Sequence, residues 1–303
     1  IENQKENASG RIKNDEYEKD NIQDFALWKA WDEKDGDVFW EPSIVLGTNT
    51  QLEKGRPGWH IECSAMSMKF LGEQLDIHTG GVDLIFPHHE NEIAQSEGAT
   101  EEQFVKYWLH NEWVLVDSQK MAKSAGNFYT LRDVIEKDIS PLAFRFWVLM
   151  ANYRTKINFV WEALKGGDIA LKRLYRLYVD LGEEIGNINH IYQDKFKSYL
   201  EDDLDTSRAL SLVWDLIKDK DIVNADKKAT ILDFDKVLGL GFENSEKIMK
   251  SEIIPEGILK LVKEREEARN TKKFEKSDEL RKEINTLGYD IEDSTNGQKI
   301  FKK

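Results

Sequence analysis

The stretch Asp76-Ile77-His78-Thr79-Gly80-Gly81-Val82-Asp83-Leu84-Ile85-Phe86-Pro87-His88-His89-Glu90-Asn91-Glu92 decides the fold. Its first six residues read as a short strand that runs into a glycine turn. Pro87 then suits the first turn of a helix, where its missing N–H costs least. Gly98 suits the position just past a helix end, which predicts a helix over about 88–97. A second helix is predicted over roughly Glu101–Leu109, followed by Trp113-Val114-Leu115-Val116-Asp117, a compact apolar run with β character. Strand and helix alternate, and that alternation indicates an α/β sheet.

On the Pro87 helix, His88 and Glu92 lie four apart and share a face. Upstream, Trp59-His60-Ile61-Glu62-Cys63 carries the only cysteine of the chain. Thiolate, imidazole and carboxylate together suit a borderline-soft metal such as zinc. Three protein donors with a fourth position left open are the pattern of a metal that handles substrate. Cys63, His88 and Glu92 are thus a candidate ligand set; the same residues also read as a small buried thiol with histidines that cap or pack. A second constellation, Lys120-Met121-Ala122-Lys123-Ser124-Ala125-Gly126-Asn127, follows the apolar run. Such a loop can set ammonium groups where negative charge grows on a polyphosphate, with Gly126 as a hinge. Two lysines three apart are also common on ordinary surfaces.

Working outward, 303 residues with 40% hydrophobic content and nine Trp suffice for two or three domains with a real core. One cysteine cannot form an internal disulfide, which fits a reducing cytoplasm. The opening Ile1-Glu2-Asn3-Gln4-Lys5-Glu6 shows no signal peptide and lacks an initiator Met, which suggests a fragment of something longer. The longest apolar stretch, near Phe144–Ala151, is far too short to span a bilayer, so no membrane role is expected. A net charge of −14 argues against indiscriminate nucleic-acid binding. Residues 256–303, however, hold 12 Lys+Arg against 11 Asp+Glu. A near-neutral tail on an acidic body is mild evidence for contact with phosphate, although solvated helix faces look the same.

Residues 1–22 are polar and read as a flexible segment, with packed structure beginning at Trp28, Trp31 and Trp40. The α/β part covers 23–129. Beyond Thr130, apolar residues recur at helical spacing, as in Leu171, Leu174, Tyr175 and Tyr178, which predicts a helical bundle over 130–245. A charged helix starting at Ile258 breaks near Asn270-Thr271, and another carries Leu280, Ile284 and Leu287 to a stop at Gly288. Asn296-Gly297 then predicts a hairpin, closing a small α+β domain over 250–303.

Lys120–Ser124 resembles the KMSKS signature of class I aminoacyl-tRNA synthetases. With Trp59–Met66 and Phe86–Glu92 before it, the chain is similar to the cysteinyl-tRNA synthetase family. The likeness runs from about Phe25 to the final lysines, through Ala268-Arg269, Ser277-Asp278 and Leu280-Arg281. It implies the second half of a Rossmann-like parallel nucleotide-binding sheet, then the helical bundle and a small anticodon-binding domain. It also implies an enzyme that activates L-cysteine with ATP and magnesium (Mg2+) and transfers the cysteinyl group to tRNA(Cys), acting as a monomer. One zinc ion (Zn2+) is then held by Cys63, His88, Glu92 and a further cysteine expected upstream of this chain. Trp59 matches the indole beside the substrate amino acid. His78 and Asp83 match residues near its amino group and the adenylate, and Gly80 and Gly81 let backbone approach the nucleotide. Lys123 matches the second KMSKS lysine, which stabilises pyrophosphate, with Lys120 the weaker catalytic candidate and Ala122 a departure from the usual serine. Arg265, Arg269, Lys272, Lys273, Arg281 and the Gln298–Lys303 strand are candidates for tRNA contact. A HIGH motif is absent, so this stretch alone is expected not to form cysteinyl adenylate. Two rival readings remain: a zinc-dependent cysteine ligase acting on an amino sugar, and a non-catalytic tRNA-binding fragment.

Overall fold

The computed structural model describes residues 24–42, 53–250, 254–294 and 297–302; the segment read as flexible, 1–22, lies outside them. The chain divides into two units, Ile1–Val114 with Tyr153–Ile157, and Leu115–Asn152 with Asn158–Lys303.

In the first unit, β1 (Trp28–Ala30) pairs antiparallel with β2 (Gly55–Pro57). The indoles here bond to backbone, Trp28 to the Glu53 carbonyl and Trp31 to that of Gly36. Trp40 is 54% exposed, so these aromatics mark a small ribbon and not the start of a core. Helix α1 (Trp59–Leu71) follows and ends at Gly72, whose φ of 100° suits glycine. Strand β3 (Leu75–Gly81) runs parallel to β4 (Val105–Asn111), with Leu75 opposite Val105 and Gly81 opposite Asn111. Helix α2 (Glu90–Thr100) connects them, so the expected strand–helix–strand alternation is present. Leu75, Phe104 and Val105 form the buried core, flanked by Met68 and Trp108.

Two local expectations are corrected. Gly98 does not stop α2, which continues to Thr100 and ends where Glu101 turns left-handed at φ 60°. The helix predicted over Glu101–Leu109 is instead the approach to β4. Its Phe104-Val105-Lys106-Tyr107-Trp108 is aromatic and β-branched, and pairing with β3 overrides the helical reading. Pro87 does head the helical run, directly after the extended residue Phe86 (φ −134°, ψ 132°).

Strand β5 (Val114–Val116), in which the second unit begins at Leu115, lies between β6 (Gln119–Lys120) and β7 (Ile157–Phe159). Helices α3 (Leu131–Glu136), α4 (Pro141–Leu149), α5 (Trp161–Val179), α6 (His190–Glu201), α7 (Thr206–Lys218), α8 (Asn224–Leu238) and α9 (Ser245–Lys250) follow. Thr130 and Asp133 make a reciprocal capping box that starts α3, and Ser140 caps α4 with Pro141 in its first turn. The 3.6-residue repeat of α5 buries Leu164, Leu171, Leu174, Tyr175 and Tyr178. These pack with Leu212, Leu216, Ile231 and Phe234 in the main core.

The tail contains α10 (Glu256–Asn270), α11 (Phe274–Thr286), β8 (Tyr289–Ser294) and β9 (Gly297–Lys302), around Ile258, Ile284, Tyr289 and Ile291. The break at Asn270 and the hairpin agree with the sequence reading; the hairpin's Asn296 lies outside the described residues. Among the described residues no helix is long and apolar enough to cross a membrane.

Candidate active site

Three elements of the first unit meet around one carboxylate. Residues on α1 three to four apart face the same way, so His60, Cys63 and Ser64 turn together toward α2. There, Glu92, Gln95 and Ser96 form the buried face. The Ser64 hydroxyl donates to Gln95 Oε1 at 2.8 Å, tying the two helices.

Cys63, His88 and Glu92 bring one donor atom each to within 4.8 Å of one another. Glu92 is fully buried; its Oε1 lies 2.6 Å from His88 Nε2 and its Oε2 3.4 Å from His78 Nε2. The Cys63 thiol is a further neighbour of this carboxylate, hydrogen-bonded to it. The Cys63 thiol is pushed above its usual range, first by burial and then by the charges of Glu92 and Glu62. A fully buried carboxylate beside a thiol that resists ionisation is an unfavourable pair on its own. A dication reverses both penalties, because it favours the thiolate and neutralises the carboxylate. The donors present therefore fit zinc.

The surrounding groups orient those donors. His60 Nδ1 lies 2.8 Å from His88 Nδ1. A metal on His88 Nε2 requires the proton on Nδ1, from which His60 Nδ1 can accept a hydrogen bond. The indole of Trp59, 47% exposed, lies 4.7 Å from the His88 ring. His78 packs on Trp108 at 4.7 Å and on His89 at 4.9 Å, and His89 Nδ1 meets His110 Nε2 at 2.8 Å. Burial, above all, pushes His89 down to about 4, with Glu92 acting in the opposite direction. His110 moves down as well, through burial and then the charges of His78 and Arg154. Five of the six histidines in the chain thus line one floor.

Gly80 and Gly81 have an observable steric role. A side chain at Gly80 would place its Cβ 2.5 Å from His89 Cε1, and one at Gly81 would reach 2.4 Å from Asp83 Oδ1. Asp83 in turn accepts from Trp113 Nε1 at 3.0 Å. The sequence-derived candidates Cys63, His78, His88 and Glu92 are brought together, with Trp59 at their edge. The sequence reading offers no site role for His60, His89, His110, Trp108 or Trp113. His60 had a signal, standing three residues before Cys63 on a helix; His110 had none while its strand was read as helix.

In the second unit, Lys120 ends β6 and Lys123 opens a short turn, Lys123–Ala125, closed by Gly126 at φ 69°. Both lysines are exposed, and Lys123 Nζ lies 5.3 Å from the Phe128 ring. Asn127 fixes the loop from within. Its Oδ1 accepts from the Ala122 N–H at 2.9 Å and its Nδ2 donates to the Lys120 carbonyl at 3.1 Å.

Of the basic residues offered for tRNA contact, Arg265 is withdrawn. It is 1% exposed and bonds Asp293 through Nη1 and Nη2, at 2.8 and 3.1 Å. Burial demands such a partner, and the guanidinium's planar fork fits a carboxylate. Arg269, Lys272, Lys273 and Arg281 are exposed.

The chain belongs to the class I tRNA synthetases: residues 1–168 match the model described as "tRNA synthetases class I (C) catalytic domain". Residues 252–300 match the "Cysteinyl-tRNA ligase anticodon binding domain". Curated relatives carry the name cysteine–tRNA ligase. That of Brachyspira hyodysenteriae is 43% identical over 98% of this chain and 65% of its own length. That of Chlamydia muridarum is 41% identical over 97% and 65%, and that of Caldicellulosiruptor saccharolyticus 40% over 97% and 64%. The chain therefore spans about 65% of the length of the curated relatives it matches.

Proposed function

We propose that this chain carries the zinc-binding, lysine-loop and tRNA-facing parts of an enzyme that activates L-cysteine with ATP and passes the cysteinyl group to the 3′ end of tRNA(Cys). One observation carries the reading: Cys63, His88 and the fully buried carboxylate of Glu92 bring one donor atom each to within 4.8 Å of one another. When bound there, zinc supplies a soft cation that prefers the thiolate of cysteine to the hydroxyl of serine.

The chain's own residues do the rest. Cys63, His88 and Glu92 hold the cation, and His60 accepts a hydrogen bond from His88 Nδ1–H. Trp59, half exposed over His88, walls the side from which the amino acid enters. His78 and Asp83 receive its amino group, Asp83 being held in place by Trp113. Gly80 and Gly81, bare of side chains, leave room for the nucleotide at the end of β3 as well as for His89 and Asp83. Lys123, with Lys120, places positive charge where the pyrophosphate departs, in concert with the magnesium that accompanies ATP. The α10–α11 pair and its hairpin read the anticodon, with the exposed Lys272, Lys273 and Arg281, and Arg269 beside its ion pair with Asp293, placed to meet phosphate or splayed bases. The thiolate ligand must stay reduced, which supports a cytoplasmic setting.

The anticodon-domain match over residues 252–300 weighs against the amino-sugar ligase, and the donor set weighs against a bare tRNA binder. The test is cobalt(II) substitution in this chain. L-cysteine is expected to intensify the thiolate-to-cobalt absorption, serine to leave it unchanged, and Cys63→Ala to weaken it. An equal response to both amino acids would overturn the reading.

A further inference from the structure

Glu92 faces two donor sets. Its Oε1 meets His88 Nε2 at 2.6 Å, whereas its Oε2 turns to His78 Nε2 at 3.4 Å. On that second side, His78, His89 and Glu92 also bring one donor atom each within 4.8 Å of one another. His78 comes from β3, Glu92 from α2 and His89 from the turn that leads into α2. His89 is 3% exposed and Glu92 is fully buried. His89 Nδ1 lies 2.8 Å from His110 Nε2, which can accept a hydrogen bond from a proton on His89 Nδ1 and so leave the His89 Nε2 lone pair available. Trp108 packs on both rings, at 4.7 Å from His78 and 4.8 Å from His89. Gly80 leaves the His89 edge uncovered, since a Cβ there would stand 2.9 Å from Nε2.

We propose that His78, His89 and Glu92 form a second position for a divalent cation, with nitrogen and oxygen donors only, which shares Glu92 with the Cys63 set. Borderline cations accept both donor sets. Two dications on one shared carboxylate would leave excess positive charge in a water-poor pocket, so the chain holds one cation at a time. The cation then stays on Glu92 whenever the sulfur of Cys63 is withheld, for instance by oxidation.

The test titrates cobalt(II) into the whole chain, with stoichiometry from equilibrium dialysis and ligand type from absorption. The unaltered chain is expected to bind one equivalent with a thiolate-to-cobalt band. Cys63→Ala is expected to bind one equivalent without that band. In that background, His88→Gln retains the cation, whereas His89→Gln weakens it at least about tenfold. His78→Gln replaces His89→Gln if the latter loses its helical circular dichroism. Absence of binding by Cys63→Ala, equal loss with His88→Gln and His89→Gln, or two equivalents in the unaltered chain would each overturn the proposal. None of these results alters the band of the unaltered chain, which reports on the Cys63 set separately.

Discussion

Around Glu92 the first unit gathers buried groups that oppose one another, whereas the Lys120–Asn127 loop of the second unit leaves its charges in water. The carboxylate is fully buried and the thiol beside it is discouraged from ionising. Lys120 and Lys123 are exposed, and what the fold fixes is their backbone, through one asparagine. The difference teaches where binding free energy is stored. The first site is pre-strained electrostatically, so a cation relieves a penalty already present in the fold. The loop holds no such penalty, so an anion gains there only what exposed ammonium groups offer against solvent.

Glu92→Gln breaks this comparison most directly. The unaltered chain, refolded with zinc, is expected to keep one equivalent through gel filtration, and the variant none. At zinc 100-fold above its Kd, the unaltered chain gains about 2.7 kcal/mol of stability by mass action, a gain the variant loses. Lys120→Ala and Lys123→Ala should leave zinc content and melting temperature as they are. Loss of zinc from either lysine variant would show that the two regions are not independent in the way described.

Truncating one aromatic in each region tests packing in place of charge. Phe104 is fully buried beneath His78 and Trp108, at centroid distances of 6.1 and 6.3 Å. Phe104→Ala should cost about 3–5 kcal/mol in urea unfolding and loosen the histidine floor. Phe128, beside Lys123, is 45% exposed, and Phe128→Ala should stay within about 0.5 kcal/mol.

A pH titration of the zinc-free chain sharpens the contrast further. Folded His89 takes its proton only near 4, against 6.5 when unfolded. Between those values the unfolded state binds more protons, so stability must fall as pH drops from about 6.5 toward 4. The effect reaches about 3 kcal/mol at most, and His89→Gln should flatten the curve over that interval. Chemical denaturation at several pH values in chelator checks both the sign and the window.

How much of this was legible in the sequence follows from the range of the interactions involved. The i,i+4 pair His88 and Glu92, the glycine turn before Pro87 and the repeat of α5 are local, and pattern reading found them. Cys63 joined the ligand set from a different helix through chemistry alone, because sulfur, nitrogen and oxygen together suit few other roles. The helix assigned to Glu101–Leu109 failed because strand formation there depends on pairing with β3, a partner some thirty residues away. That one error also hid His110, whose place under His89 exists only on a strand. Arg265 looked like a surface cation because its carboxylate partner, Asp293, lies 28 residues on in the hairpin.

Asn127 gives a local effect and the sharpest view of the loop. Its side chain spans the loop, accepting from the Ala122 N–H at 2.9 Å and donating to the Lys120 carbonyl at 3.1 Å. Each bond is worth about 1 kcal/mol net, because water replaces the lost partner at an exposed site. Asn127→Ala should therefore leave global unfolding nearly unchanged while local opening becomes easier. The Ala122 amide should exchange with solvent about tenfold faster, as 1.4 kcal/mol of local stability would require, while amides of β5 keep their protection. Asn127→Asp separates the two bonds: the acceptor for Ala122 survives and the donor to Lys120 is lost, so exchange at Ala122 should stay closer to that of the unaltered chain. If instead both variants speed exchange throughout α1 and α2, the loop and the histidine floor share one cooperative unit, and the contrast between a pre-strained site and a merely tethered one no longer holds.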